Sequence, residues 1–364
     1  MDSPLTELFD RAIRAHHPLF ASLELTYACN LACQFCYNPV QRLNQHRSLP
    51  PGEAGSTPLS FEEIQDLFDQ LRSMGVLYLT LTGGEPLVHP RFWDIAAAAK
   101  ERSFAIRLFT NGTLIDAGAA DRLADLAPYC VEFSIHGACA ASAEALNQTP
   151  GSHQAQLRAL ELLKNRGLRV FIKCVVTKLV ENELEDIHAI GERLGIPVYF
   201  DPVLTPSDDG QAYPLEMAAS DETLQKLYRS KKLNVGNSPF QREPGQYNCS
   251  VGTGTLHVTP VGDVQPCVQW KQAIGNLREK TLREIWGGSD LLRKVREASL
   301  AAPVMLLEKV EDHAFCMHCP GLSQLRSGDP LRPDEQYIRL ARIRREATQE
   351  LGRYPPPTRD GEQG

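Results

Sequence analysis

No part of the sequence offers the run of ~18–20 apolar residues that a membrane span requires, so an integral membrane protein is not expected. There is no long basic stretch, and the formal net charge is −7, which argues against nucleic acid as a partner. The N-terminal "MDSPLTELFDRAIRAHH" lacks the basic start and apolar core of a signal peptide and reads instead as a charged amphipathic helix. Nor is there an internal repeat beyond an alternation of strand-like and helix-like segments. These absences lead us to expect a cytoplasmic protein with neither membrane nor nucleic acid as partner. What remains is an ordinary globular composition: 364 residues, 42% hydrophobic and 23% charged, enough for a sizeable core in one large domain with an extension, or in two.

Against this plain background stand ten cysteines. In a cytoplasmic chain they point to metal or redox chemistry more readily than to disulfides. Cys29, Cys33 and Cys36 lie in "TYACNLACQFCYNP" with C-x3-C-x2-C spacing. A zinc cage or a cubic iron–sulfur cluster has room for four ligands, and this stretch supplies three. From the residues alone, two answers stay open: a fourth ligand from elsewhere, such as His46, or a metal position left vacant. Cys249, Cys267, Cys316 and Cys319 form a second group, whose four thiolates suit either zinc or a cluster. Cys130 and Cys174 fall in strand-like runs and read as small buried apolar residues.

Between residues 20 and 200, short apolar runs alternate with amphipathic ones. Strands are expected at Leu23–Thr26, "VLYLTLTGG", "AIRLFTNGT", "CVEFSIHG", "RVFIKCVVTK" and "PVYFDPV", with a helix before each strand after the first. That alternation implies a parallel sheet with right-handed crossovers. The fold class is therefore α/β, a partial (β/α)6 barrel of the TIM type followed by a small Cys-rich extension. We divide the chain into an N-terminal helix (1–20), the barrel (21–202), a linker with one helix (203–248), the cysteine-bearing extension (249–330), a last helix (331–352) and a disordered tail (353–364). In the extension, "TLHVTPVGDVQPC" reads as a hairpin and "TLREIWGGSDLLRKVREA" as one or two short helices. The cysteine loop, "GGEP", "TNGT" and "SIHG" all fall at the carboxyl ends of strands and so on one rim of the barrel, where such folds carry their chemistry.

The cysteine spacing in "CNLACQFC", with aromatic Phe35 before the third cysteine and "GGEP" about fifty residues on, resembles the radical S-adenosylmethionine superfamily. The resemblance implies that Cys29, Cys33 and Cys36 hold three irons of a 4Fe-4S cluster whose fourth iron binds S-adenosylmethionine. Reductive cleavage of that cofactor then gives a 5'-deoxyadenosyl radical. It also implies that Gly83, Gly84, Glu85 and Pro86 meet the methionine amino group, that Asn111 and Ser134 face the cofactor, that Lys173 meets its carboxylate, and that Tyr37 packs on the adenine. Asp201, at the end of strand six, is the expectation for a catalytic acid–base residue. His136 is left unassigned.

The second cysteine group, with its hairpin and "GDVQPC" turn, resembles the extension called SPASM or, in shorter form, twitch. That implies one auxiliary 4Fe-4S cluster held by all four cysteines, because no cysteine follows Cys319. Enzymes with this extension mostly modify ribosomally made peptides. The expectation is therefore hydrogen abstraction from a peptide, giving a crosslink, a thioether or a related oxidation. The alternatives are peptide epimerisation, or the same chemistry on a haem precursor or a sugar. A separate peptide-recognition protein and an electron donor such as flavodoxin or ferredoxin are the implied partners.

Overall fold

The computed structural model describes residues 4–38, 57–233 and 238–352. His46 and the C-terminal tail lie outside the described residues. Helix α1 (Pro4–Arg14) leads into β1 (Phe20–Glu24), three residues earlier than the apolar run suggests, with Leu25 and Thr26 already turning into the cysteine loop. There follow α2 (Phe61–Ser73), β2 (Tyr78–Thr82), α3 (Phe92–Glu101), β3 (Ala105–Thr110), α4 (Ala117–Leu126), β4 (Cys130–Ser134), α5 (Ala140–Asn147), α6 (Ser152–Asn165), β5 (Val170–Val175), α7 (Leu184–Leu194) and β6 (Val198–Asp201). The strands β1 to β6 are parallel and hydrogen-bonded in sequence order. This is the expected partial barrel.

Strand parity explains why the barrel holds a site. Leu23, Leu81, Leu108, Phe133, Ile172 and Phe200 point outward and join one core with the helices. The alternate residues point inward and are polar or aromatic: Glu24, Thr82, Phe109, Glu132, Ser134, Lys173 and Asp201. A one-residue slip would exchange the two sets, so burial of the aliphatic face fixes the register. Deep inside, Glu132 is paired with Arg107 and lies 3.6 Å from Lys173 Nζ. At the amino end, α1 covers the barrel: Phe9 packs 5.3 Å from Phe20 and 6.5 Å from Tyr78. Access is left to the carboxyl rim.

Local sequence fixes the helix starts. Ser60 caps α2 and Glu63 returns the bond to the Ser60 N–H (2.7 Å), a reciprocal capping box. Glu63 also accepts from Arg278 at 2.7 and 3.0 Å, tying the barrel to the extension.

The extension is joined to the barrel at the level of the sheet. After α8 (Asp221–Arg229), β7 (Thr255–Val258) pairs in parallel with β1, and β8 (Asp263–Gln265) and β9 (Gly275–Asn276) continue antiparallel. The described residues thus form one sheet of nine strands. The expected hairpin is present, but its first strand is also the barrel's seventh. Helices α9 (Leu282–Gly288), α10 (Asp290–Lys309), α11 (Pro320–Ser327) and α12 (Glu335–Glu350) follow.

Sequence pattern ends the second of these near Ala298, yet α10 runs through Pro303. Proline has no N–H to donate to the carbonyl four residues back. Here the freed Ser299 carbonyl accepts from Asn248 N–H at 2.9 Å, and Ser299 Oγ donates to the Cys249 carbonyl at 3.3 Å. The irregularity in the helix therefore seats a cysteine of the second group.

Candidate active site

The three-cysteine loop is held on both sides. Ala32 N–H and Gln34 N–H donate to the carbonyls of Asn147 and Leu146 at the end of α5. On the other side Tyr213 OH donates to the Cys36 carbonyl at 2.9 Å, and Asp208 N–H donates to the Tyr37 carbonyl at 2.8 Å. Burial and mutual repulsion make ionisation costly: the Cys29 thiol is pushed up to about 11 and Cys33 to about 12, with Cys36 also well above its ordinary value. Three such groups become thiolates together only when a metal centre supplies the opposing charge. The backbone is prepared for that state. Leu31 N–H donates to Cys29 Sγ and Asn38 N–H to Cys36 Sγ, each at 3.4 Å. Asn111 Nδ2 stands 3.6 Å from Cys29 Sγ and also donates to Asn30 Oδ1 at 3.0 Å.

The GGEP turn is pressed against this loop. Gly84 N–H donates to the Thr26 carbonyl and Glu85 N–H to the Ala28 carbonyl, at 2.8 and 2.9 Å. Gly83 has φ +143°, and a Cβ there would stand 2.4 Å from the Thr26 carbonyl oxygen, so glycine alone fits.

A cavity of about 340 Å³ opens between loop and barrel. Of the residues expected at the site, it brings together the three cysteines, Phe35, Tyr37, Gly83, Gly84, Asn111, Ser134, Lys173 and Asp201. Glu85 and Pro86 are not among the residues lining it. The Glu85 side chain is fully buried and its carboxylate accepts from Thr110 Oγ1 (2.8 Å), Asn111 N–H (2.7 Å) and Leu87 N–H (3.1 Å). It fastens the second strand end to the third. Asp201 accepts from Val203 N–H at 2.9 Å; burial raises its carboxyl, and the Val203 bond and Lys173 only partly offset this.

Burial pushes the Glu85 carboxyl up to about 7. The folded state then holds this proton more tightly than the unfolded chain. Its contribution is fully present below pH ~4.5 and fades as pH rises through ~7. Substitution Glu85→Gln should flatten that part of the profile in thermal unfolding followed between pH 5 and 8. It should also cost about 1–3 kcal/mol throughout, because an amide places an N–H against the Asn111 N–H.

Sequence reasoning missed three contributors. Gln156, on α6, is 2% exposed. Its Nε2 donates to the carbonyls of Asn111 and Ser134, both at 3.0 Å, clamping two strand ends. Its Oε1 has no hydrogen-bond partner among the described residues. His136 accepts from Val175 N–H through Nδ1 at 3.1 Å, which leaves the proton on Nε2, and burial lowers it to about 4, so it is neutral near pH 7. It packs edge-on to Phe35 at 4.9 Å. Gln269, from the extension, joins Val203, Leu204 and Thr205 on the far wall.

The second cysteine group is also set where ionisation is costly. Burial pushes all four thiols up, Cys267 to about 12 and Cys316 and Cys319 to about 11. Cys267 feels the charge of both Cys319 and Cys249. A Cβ on Gly321 would meet the Gln269 carbonyl at 2.8 Å, so the start of α11 rests directly on the Cys267 loop.

Fold and site together define an enzyme class: an open parallel barrel with three cysteines after its first strand, joined through the sheet to a second thiol group. Residues 23–190 match the Radical SAM superfamily, and residues 249–320 match SPASM, an iron-sulfur cluster-binding domain. Mycofactocin maturase MftC of Mycobacterium tuberculosis is 31% identical over 322 residues, which is 83% of this chain and 78% of that one. The AdoMet-dependent heme synthase of Methanosarcina barkeri is 27% identical over 351 residues, 88% and 96% of the two chains. Among solved structures, anSMEcpe with bound AdoMet has a TM-score of 0.67 at 17% identity, covering 92% of this chain and 98% of that one.

The chain belongs to the radical SAM superfamily. It is a radical SAM enzyme with a SPASM domain, and its cofactors are S-adenosylmethionine and 4Fe-4S clusters. The residues present suit those groups: backbone N–H donors to the Cys29 and Cys36 sulfurs, four late thiols that burial pushes up, and the orphaned Gln156 Oε1 in the cavity wall as an acceptor for a ligand's O–H or N–H. Among the described residues no helix is long and apolar enough to cross a membrane.

Proposed function

We propose that this enzyme modifies a peptide, by a crosslink, a thioether or a related oxidation, in the cytoplasm. The observation that carries the reading is the size of the cavity. At about 340 Å³ it lies near the lower end of the ~300–1,000 Å³ usual for small-molecule sites. The same cavity is lined by the three cysteines and by Val203, Leu204, Thr205 and Gln269, and its size suits a side chain offered from outside better than a whole macrocycle. The likeness to a maturase supports the same reading.

In this reading Cys29, Cys33 and Cys36 hold the radical-generating cluster, and Cys249, Cys267, Cys316 and Cys319 hold one auxiliary cluster. The match of residues 249–320 to an iron-sulfur cluster-binding domain favours a cluster over zinc in the second place. When bound, the cofactor supplies the hydrogen-abstracting radical. The chain's own residues do the holding. The main chain at Gly83 and Gly84 and the side chains of Asn111 and Ser134 contact the methionine and ribose parts. Lys173, at the edge of the cavity, takes the carboxylate. Phe35 and Tyr37 form the apolar wall, and neutral His136 offers its Nε2–H. Asp201 is the candidate for moving a proton. An electron donor such as flavodoxin or ferredoxin, and a separate peptide-recognition protein, complete the proposed set of partners.

The second reading, oxidation of a haem precursor, is favoured by the similarity to a heme synthase across 96% of that protein. Mass spectrometry separates the two. Reduced, reconstituted enzyme is incubated with S-adenosylmethionine and either short peptides encoded beside its gene or haem precursors. We expect a peptide to lose two hydrogens. A mass change confined to the haem precursor would overturn the peptide reading.

A further inference from the structure

The four late cysteines do not share one electrostatic setting. Cys316 is flanked by two arginines from distant parts of the chain. Arg242 donates to the carbonyls of His313 and Cys316. Arg344, from α12 and only 3% exposed, donates through Nη1 to the Phe315 carbonyl at 2.7 Å. Both guanidinium groups lie over the ring of Phe240, at 4.8 and 5.2 Å. The charge of each reaches the Cys316 sulfur. The opposing carboxylate there is Asp312, which is itself bound by Arg345 at 2.5 Å.

We propose that Arg242 and Arg344 are potential-setting residues of the auxiliary centre, raising its reduction potential. This rests on the assignment of the four late cysteines to one iron–sulfur cluster. A reduced cluster carries one more negative charge than an oxidised one. A fixed cation near a ligand sulfur, in a partly buried and weakly screening place, stabilises the reduced form more. Arg344 also holds the turn before Cys316, so the variants are made at the more accessible partner.

The test is a potentiometric titration followed by electron paramagnetic resonance. It uses the full chain carrying Cys29→Ala, Cys33→Ala and Cys36→Ala, so that only the auxiliary signal remains. Arg242→Gln keeps a donor for the carbonyls and removes the charge. It should weaken reduction at least tenfold, which is about 59 mV for one electron, while Arg242→Lys keeps most of the original midpoint. Asp312→Asn should move the midpoint the other way. Arg242→Gln and Asp312→Asn each retaining about four irons and an unchanged midpoint would overturn the proposal. If Arg242→Gln loses its iron, Asp312→Asn decides alone by the sign of its shift. Zinc in place of iron in the parent protein would overturn the cluster assignment and the proposal with it.

Discussion

Alanine at Cys29, Cys33 and Cys36 together should abolish 5'-deoxyadenosine formation and remove about half of roughly eight irons. The two halves of that result test different things. Loss of cofactor cleavage follows from removing the three thiols that line the cavity beside the Gly83–Gly84 turn. Retention of the other half depends on whether the second cysteine group stands alone. Its supports are its own. Asn248 is held by the carbonyl that Pro303 releases, the Cys316 turn by Arg242 and Arg344, and the Cys267 loop by the start of α11. None of these passes through the N-terminal loop. Against this, β7 is paired along its length with β1, so a collapse there would carry both centres away. Iron analysis after anaerobic reconstitution, with 5'-deoxyadenosine measured by chromatography, distinguishes the cases. Residual cleavage by the triple variant would refute the role of the loop. Loss of all iron would show one cooperative metal-binding unit.

The barrel was legible because its signals are local. Amphipathic helices and short apolar strands repeat, and Ser60 with Glu63 marks a helix start by chemistry that can be read off four residues. What could not be read depends on contacts between distant segments. The parallel pairing of β7 with β1 joins residues more than two hundred positions apart, and nothing in "TLHV" announces its neighbour. Helix α5 was missed because "AASAEALN" is short and nearly all small residues, with little contrast between its faces; it forms because its end receives the cysteine loop. The continuation of α10 past Pro303 needs a partner for Ser299 that lies far back in the chain.

The site was legible where its motifs are covalently spaced, as with the cysteines, and less so where function is indirect. Gln156 did leave a trace. It shares a helix face with Ala159, Leu160 and Leu163, all fully buried, and a polar residue on such a face requires a buried partner. Glu85 shows the converse. Its motif marks it for the cofactor, while its carboxylate is occupied by Thr110, Asn111 and Leu87.

Gly84→Ala should reduce the rate of S-adenosylmethionine cleavage by about 100-fold or more, although the change adds one methyl group. The added Cβ would stand 2.4 Å from the Ala28 carbonyl oxygen and 2.6 Å from that of Tyr27. Neither obstacle is a side chain that can turn away. Both are backbone, and they are fixed by the bonds from Gly84 N–H to Thr26 and from Glu85 N–H to Ala28. Relief requires breaking those bonds, at about 1 kcal/mol each, or moving the loop that begins at Cys29 away from the turn. Either course separates the cysteine mount from the main chain proposed to hold the methionine end. A displacement of about 1 Å at reacting groups is enough for a loss of that size. Gly118→Ala, on α4, is the control: its Cβ would meet nothing nearer than Asp116 Oδ1 at 3.5 Å, and alanine there should stabilise the helix by up to about 1 kcal/mol without changing turnover. The pair is compared by 5'-deoxyadenosine formation at saturating cofactor, with iron content measured alongside. Wild-type turnover in Gly84→Ala would mean that the close approach of turn to cysteine loop does not position the cofactor.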